Sequence, residues 1–332
     1  MPSHQNEQPP AGMSIVIPTI GRGEVLLETV RGLQRQTDVE FEIIIVTQSD
    51  DQLEELQECV QDNGTATRCF YQPEPNASLA RNVGLIQAQH EVVLFMDDDM
   101  QFVTTDYLRS HLAPYVEPQL SGVVGQVLSP NSRPRTRPLH RFVLRDRVGW
   151  LYFPFDSDKN TCVRSGISCN LSVRRKFAIE IGGMDAFFVK GAHREESEFC
   201  LRLTDRYGPL LFSTDASAVH LRVPEGGSRS WNEQAATLPN TYAPHHLTGE
   251  WYFILRGLKL GTIQHRELPD HLLAAFRRQV LHRPNGHRVR GLLDALQKSF
   301  SAYRLARQQV KQPPRTIEAL SHNDYRLLWE IA

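Results

Sequence analysis

The chain has 332 residues, a formal net charge of −1, 40% hydrophobic residues and 23% charged residues. These values are typical of a globular protein with one large or two moderate cores. The near-zero charge creates no global field that would attract nucleic acid, so we expect no nucleic-acid partner. Five cysteines without a CxxC pair argue against a disulfide framework or a zinc site and favour a reduced, cytoplasmic compartment. No run approaches the ~18 apolar residues that span a bilayer.

Two local patterns alternate along the first third of the chain after a polar, proline-containing tail at 1–12, which we expect to be flexible. Short runs of β-branched residues predict buried strands, and apolar residues at helical spacing predict helices. In chain order the predicted elements are strand 13–20, helix 24–36, strand 41–49, helix 52–61, strand 67–72, helix 78–89 and strand 91–96.

This alternation predicts an α/β fold with a mostly parallel central sheet and helices on both faces. Ligands of such sheets bind beyond the carboxyl ends of the strands. Polar clusters lie at three of those ends, namely Pro18–Arg22, Thr47–Asp51 and Asp97–Asp99. No GxGxxG follows the first strand and no GxxxxGK[ST] occurs, so neither dinucleotide binding nor P-loop chemistry is indicated.

Three consecutive acids follow the strand "EVVLFM", which is unusual because adjacent like charges repel. A divalent cation would relieve that repulsion, and oxygen ligands select Mg²⁺ or Mn²⁺. In an extended chain Asp97 and Asp99 face one side and Asp98 the other. The alternative interpretation is a solvated acidic turn that caps a following helix.

Eight short blocks, in this order, resemble family 2 glycosyltransferases of the GT-A fold. They are "SIVIPTIGR", "EIIIVTQSD", "NASLARNVGL", "VVLFMDDD", "GISCNLSVRR", "IGGMDAFF", "REESEFCLRL" and "DASAVHL", within residues 13–225. The agreement of eight blocks in order is specific, whereas any one alone would be weak. The resemblance implies a GT-A nucleotide-sugar-binding fold, inverting transfer and a DxD motif that holds a divalent cation on the donor diphosphate.

The resemblance also implies roles for the donor-side residues. Asp97 would lie towards the ribose and share the metal, Asp99 would ligate it, and Asp98 would contact the donor sugar or the metal. Pro18, Thr19 and Arg22 resemble positions at the nucleotide end.

Recognition of the base falls to Gln48 or Asp50. The chain reads "TQSDD" where the family more often has Asp followed by Gly-Ser, so the base stays open. Asn76 and Arg81 resemble the "NxGxxxARN" block, with Ser78 in place of the usual Gly. Two interpretations of Arg81 remain open: it stabilises the nucleotide site, or it pairs with a carboxylate at a helix start.

Residues 192–208 predict a helix, and the resemblance places the general base at its second acid, Glu196. A carboxylate is suited to accept the proton of an attacking hydroxyl. Glu195 is the alternative if the register shifts by one, and a merely charged helix face is the structural alternative. His220 resembles a histidine that completes the metal site in this family. Imidazole beside carboxylates favours Mn²⁺ over Mg²⁺.

The blocks around 165–175 and 182–188 imply an acceptor side, with Asn170, Asp185 and Glu195 as contacts and Trp150 stacking on a sugar ring. The arginine-rich segment 131–147 is interpreted as a loop near an anionic acceptor or as a solvated loop. Residues 222–232 contain Gly226 and Gly227 and are interpreted either as a lid over the donor or as a plain connector.

The last hundred residues, 233–332, match no catalytic pattern. Four segments have amphipathic patterns and predict helices, and the last of them is "TIEALSHNDYRLLWEIA". Their basic residues allow two interpretations, a peripheral contact at the inner face of a membrane or packing on the catalytic domain with basic faces in solvent.

The sequence therefore predicts a flexible tail at 1–12, a catalytic domain at 13–232 and a C-terminal helical region at 233–332. We expect a glycosyltransferase that uses Mn²⁺ or Mg²⁺ to move a sugar from a nucleotide-diphosphate-sugar to a saccharide or lipid-linked acceptor, in polysaccharide or glycoconjugate biosynthesis. The two alternatives are a nucleotidyltransferase and a non-catalytic protein that binds nucleotide or sugar on the same fold.

Overall fold

A computed structural model of the chain describes residues 10–49, 53–139, 148–189, 193–223, 226–227, 244–278 and 289–332. The strands are β1 (Gly12–Thr19), β2 (Glu40–Thr47), β3 (Thr67–Tyr71), β4 (Val92–Met96), β5 (Met100–Phe102), β6 (Gly122–Leu128), β7 (Thr161–Val163), β8 (Asn170–Arg174), β9 (Leu210–His220) and β10 (Arg326–Ile331). The helices are α1 (Gly23–Gln34), α2 (Glu54–Asp62), α3 (Ala77–Gln87), α4 (Tyr107–Leu112), α5 (Arg175–Glu180), α6 (Glu195–Tyr207), α7 (Pro244–Leu260), α8 (Leu268–Phe276) and α9 (Val289–Gln309).

One mixed sheet runs through the described residues in the order β10-β3-β2-β1-β4-β8-β6-β9-β5, with β7 on β9. Strands β3, β2, β1 and β4 are parallel, as the alternation of strands and helices predicts. Beyond β4 the sheet is mixed: β8 pairs antiparallel with β4 and with β6, and β9 is parallel to β6. The carboxyl ends of β1, β2 and β4 therefore share one edge.

Both faces of the sheet are covered. Along β1, Ile15 packs with Leu26 of α1 on one face, while Val16 packs with Val83 of α3 on the other. This alternation of buried side chains is the arrangement expected for a central parallel strand. A separate apolar cluster joins Leu201 of α6 to the helix α7.

Helix α3 lies close against β1 because residue 84 is glycine. A Cβ at Gly84 would lie only 2.2 Å from Cγ1 of Val16, which is closer than any carbon contact tolerates. The close approach brings the first two turns of α3, with Asn76 before them and Arg81 within them, to the edge where β1 ends.

The C-terminal region is helical through α7, α8 and α9, as expected, but the prediction of a fourth helix is wrong. Within the segment "TIEALSHNDYRLLWEIA", Arg326–Ile331 forms β10, which pairs antiparallel with β3. Trp329 and Ile331 alternate towards the core, so the segment follows a period of two. Its pairing satisfies the otherwise open edge of β3, which a helix could not do. None of the helices within the described ranges is long and apolar enough to cross a membrane.

Candidate active site

The three acids lie in the short link between β4 and β5. Asp98 is buried, and its carboxylate accepts hydrogen bonds from Thr19 Oγ1 at 2.7 Å and Arg22 Nη1 at 2.8 Å. Burial raises the pKa of Asp98 to about 6, although Arg22 and Thr19 act in the opposite direction. The end of β1 is thus joined to the end of β4 by side chains predicted for the nucleotide end.

Asp97 and Asp99 lie towards His220, at the end of β9. The pairing of β5 with β9 sets Met100 opposite His220. The Nε2 of His220 is consequently 3.0 Å from Oδ1 of Asp99 and 3.9 Å from Oδ2 of Asp97. Burial disfavours protonation of His220, but Asp99 and Asp97 outweigh it and raise the pKa of the imidazole.

These atoms suit a divalent cation. Oδ2 of Asp99 accepts a hydrogen bond from Val223 N, whereas buried Oδ1, which faces the imidazole, accepts none of good geometry from the residues that the structure describes. Ligand atoms of Asp97, Cys169 and His220 also lie within 4.8 Å of one another. Carboxylate oxygen and imidazole nitrogen are ligands for Mn²⁺, and carboxylate oxygen is a ligand for Mg²⁺.

Arg81 connects this cluster to α6. Its Nη1 is 3.0 Å from Oε1 of Glu195, and its Nη2 is 3.0 Å from Oδ1 of Asp97. Asn76 fixes the start of α3, because its side chain accepts a hydrogen bond from Leu79 N and donates one to Ala186 O. Arg81 therefore does pair with a carboxylate at a helix start, and the same guanidinium also reaches Asp97 beside the metal ligands.

The two glutamates at the start of α6 have different environments. Glu195 is buried and accepts hydrogen bonds from Arg81 and from Ser78 Oγ. Burial and the neighbouring Glu196 raise its pKa, against the effect of Arg81. Glu196 is only partly buried, and within the described part of the chain it accepts one hydrogen bond, from Ser168 Oγ at 3.1 Å. Of the two carboxylates, Glu196 is thus the more accessible to a ligand.

Most of the residues predicted for the site line one cleft. Its lining includes Pro18, Thr19, Arg22, Gln48, Arg81, Asp97, Asp98, Glu195 and Glu196.

A profile of glycosyl transferase family 2 matches residues 14–182, half of the chain. The chain belongs to glycosyl transferase family 2. It is a glycosyltransferase, and its mixed sheet flanked by helices is the GT-A fold. No protein of curated function matches the sequence at a significant level.

Three solved glycosyltransferase structures share this GT-A fold. A mannosyltransferase from Pyrobaculum calidifontis in complex with GDP-Man and Mn²⁺ has a TM-score of 0.55 at 14% identity, over 91% of this chain and 76% of its own. TarS 1–349 from S. aureus in complex with UDP-GlcNAc has a TM-score of 0.53 at 16% identity, over 91% of this chain and 92% of its own. GalNAc-T7 with UDP, GalNAc and Mn²⁺ has a TM-score of 0.54 at 15% identity, over 81% of this chain and 55% of its own.

Three residues predicted for the acceptor side of this family 2 enzyme lie in the protein interior. Asn170 bonds to Tyr107 and His111, and Asp185 accepts a hydrogen bond from Tyr252. Trp150 is buried against Phe253, with Arg164 over its ring. The polar groups of Asn170 and Asp185 bond to the protein itself. A role of the three residues as acceptor contacts stays a prediction.

Of the two residues predicted to recognise the base, the structure describes Gln48. Gln48 lines the cleft, and its Oε1 accepts a hydrogen bond from Asn76 N at 2.5 Å. Asp50 lies outside the described residues. So do residues 140–147 of the arginine-rich segment, and residues 224–225 and 228–232 of the segment interpreted as a lid or a connector. The sequence predicted no role for three residues of the site, namely Ser78 and Ser168, which each donate a hydrogen bond to one glutamate, and Cys169. The replacement of the usual Gly by Ser78 was the one available signal.

Proposed function

We propose that this family 2 glycosyltransferase is a metal-dependent inverting enzyme that moves a sugar from a nucleotide-diphosphate-sugar to an acceptor hydroxyl. The observation that carries the proposal is that Asp97 and Asp98 of the acidic cluster line the same cleft as the accessible Glu196. A saccharide or lipid-linked acceptor, in polysaccharide or glycoconjugate biosynthesis on the cytoplasmic side, is the expected context.

The donor end of the cleft suits a diphosphate. Asp99 and His220, with Asp97, would hold Mn²⁺ or Mg²⁺, and the Mn²⁺ in two of the structural neighbours supports that choice. A cation held by these residues would supply positive charge to neutralise a departing diphosphate. Arg22, 2.8 Å from Asp98 and 3.6 Å from Asp99, adds a guanidinium at the same end. The donors named in two neighbours, GDP-Man and UDP-GlcNAc, support a nucleotide-sugar without selecting its base.

Glu196 is the proposed general base. Ser168 holds Oε1, which leaves the carboxylate oriented and its second oxygen available to an acceptor hydroxyl. As the hydroxyl oxygen bonds to the anomeric carbon, the bond from that carbon to the diphosphate breaks and the hydroxyl proton passes to Glu196. A single displacement of this kind inverts the anomeric configuration. Glu195 is held instead by Arg81 and Ser78, which is the arrangement of a supporting residue.

The test is a thermal-shift panel of UDP, GDP, dTDP and CDP, each with Mn²⁺, Mg²⁺ or EDTA. A ligand that binds only the folded state raises the melting temperature. We expect one nucleotide to stabilise the protein only with metal, and the shift to vanish in Asp99→Asn. With that nucleotide's sugar donor, NMR of the product should show inversion. If no nucleotide gives a metal-dependent shift, the donor site is wrongly assigned.

A further inference from the structure

Helix α9 exposes apolar side chains on its outer face. The helix packs on α7, and its almost fully buried residues are the small side chains Ala295, Ala302 and Ala306. Leu293, Leu296 and Phe300 lie on a different side, at spacings of three and four residues, and Leu293 and Phe300 are 60% and 62% exposed. An amphipathic helix of a globular protein normally turns such residues inwards.

Two arginine side chains extend the apolar stripe Leu293–Leu296–Phe300 towards the end of α9. Arg304 and Arg307 follow Phe300 by one and two turns, which places them beside the same face. Both are exposed, and neither has an ion-pair partner among the residues that the structure describes. The one acid of α9, Asp294, is already paired with Lys298 at 2.9 Å. The face therefore combines large apolar groups with unpaired guanidinium groups.

Helix α8 also exposes large apolar side chains, and a basic stretch of sequence follows it. Leu272, Leu273 and Phe276 are exposed, while His271 and Ala275 of the same helix are buried. From residue 277 to residue 290 the sequence reads "RRQVLHRPNGHRVR", with five arginines, two histidines and no acid. Because the whole chain has a formal charge of −1, this local excess of +5 is a segregated feature.

We propose that the exposed apolar faces of α8 and α9 bind the surface of an anionic lipid bilayer. Leucine and phenylalanine side chains would enter the boundary between headgroups and acyl chains, and the arginines would contact lipid phosphates. A second copy of the chain fits this face less well. Under two-fold symmetry each basic flank would face either the apolar stripe or the basic flank of the other copy, and neither supplies an acidic partner for Arg304 and Arg307.

Helices α8 and α9 are linked through α7 to α6, the helix that carries the proposed base Glu196. Helix α7 packs against α6, α8 and α9. Buried ion pairs connect α7 to the start of α6, with Arg194 3.1 Å from Glu250 and Arg256 3.0 Å from Glu198. A bilayer bound at α8 and α9 would thus be coupled through α7 to the helix that begins with Glu195 and Glu196. Lipid binding itself requires neither donor nor metal, so it does not depend on the proposed reaction.

Flotation of the full chain with vesicles tests the proposal. One vesicle set contains phosphatidylcholine alone and the other contains phosphatidylcholine with phosphatidylglycerol. We expect binding to the anionic vesicles and a decline as salt is raised, because the arginine contribution is screened. The triple variant Leu293→Ser/Leu296→Ser/Phe300→Ser should bind roughly tenfold more weakly, and Arg304→Gln/Arg307→Gln should reduce the salt dependence of binding.

The matched control is Leu327→Ser/Leu328→Ser, which removes two leucines of β10 that are 49% and 40% exposed. It should bind vesicles like the unaltered chain. Circular dichroism melts verify that each variant is folded. Absence of binding to anionic vesicles, or equal binding by the triple variant, would overturn the proposal. So would light scattering that shows a dimer which the triple variant dissociates, because the face would then be covered by a second copy.

Discussion

Arg81 of α3 and Glu195 of α6 form a buried ion pair, with Nη1 3.0 Å from Oε1. The other end of the same guanidinium lies 3.0 Å from Asp97. One side chain thus couples the helix that carries the proposed base to the loop that carries the proposed metal ligands. Removing one partner of such a pair leaves a buried charge without compensation.

Arg81→Met should therefore lower the free energy of unfolding by about 3–5 kcal/mol. Urea denaturation measures the change. The control is Arg315→Met, which removes an exposed pair with Glu74 and should change stability by no more than about 1 kcal/mol. Equal losses in the two variants would show that the Arg81 pair makes no special contribution.

Substitutions of the two glutamates of α6 should have different effects on turnover and on stability. Glu196→Gln removes the proposed base, so we expect kcat to fall by about 10²–10⁴-fold while the nucleotide-induced melting shift persists. Glu195→Gln weakens the partner of buried Arg81 and should lower the melting temperature. Turnover of the donor and thermal melts of both variants provide the comparison. Near-normal turnover by Glu196→Gln, with loss in Glu195→Gln, would transfer the role of base to Glu195.

The thiol of Cys169 lies within 4.8 Å of ligand atoms of Asp97 and His220, which predicts an affinity for soft cations. Cd²⁺ should raise the melting temperature of the unaltered chain more than that of Cys169→Ser. Cys162→Ser, which removes an exposed thiol, is the control and should keep the full Cd²⁺ effect. If Cys169→Ser responds to Cd²⁺ like the unaltered chain, the thiol does not contribute to cation binding.

His111 should make stability depend on acidity. The ring is buried between Asn170 and Ser172, and burial lowers its pKa from 6.5 to about 4 although the contact with Asn170 opposes the shift. Between about pH 6.5 and 4 the unfolded chain therefore binds one proton more than the folded chain. The contribution of neutral His111 to the free energy of unfolding is complete above this pH range, and it decreases by about 3 kcal/mol as the pH falls through it.

Urea unfolding across that window, with His111→Gln for comparison, measures this contribution. Burial lowers the pKa of His193 to about 4 as well, so the stability of the variant should still fall in acid. The decrease should be smaller than in the unaltered chain, because the proton that binds to unfolded His111 no longer contributes. Identical pH slopes for the unaltered chain and the variant would contradict the assignment to His111.

Local pattern was sufficient for the parallel half of the fold. The β-branched runs that became β1, β2 and β4 are recognisable because a buried strand needs apolar residues on both faces. The same pattern predicted that Asp97–Asp99 lie at the end of a strand. It also predicted that ligands bind at the edge of the sheet where the carboxyl ends of these strands meet. Eight ordered blocks then indicated the family that the profile match confirms.

The tertiary structure alone decided which distant groups meet. Asp99 and His220 are far apart in the sequence, and the register of β5 against β9 brings them to 3.0 Å. Arg81 distinguishes Glu195 from Glu196, which are neighbours with the same chemistry. The final strand β10 forms because β3 has an open edge, which no local window of sequence contains. Periodicity is a property of neighbouring residues, whereas strand register, burial of charge and completion of a sheet edge depend on contacts between segments far apart in the chain.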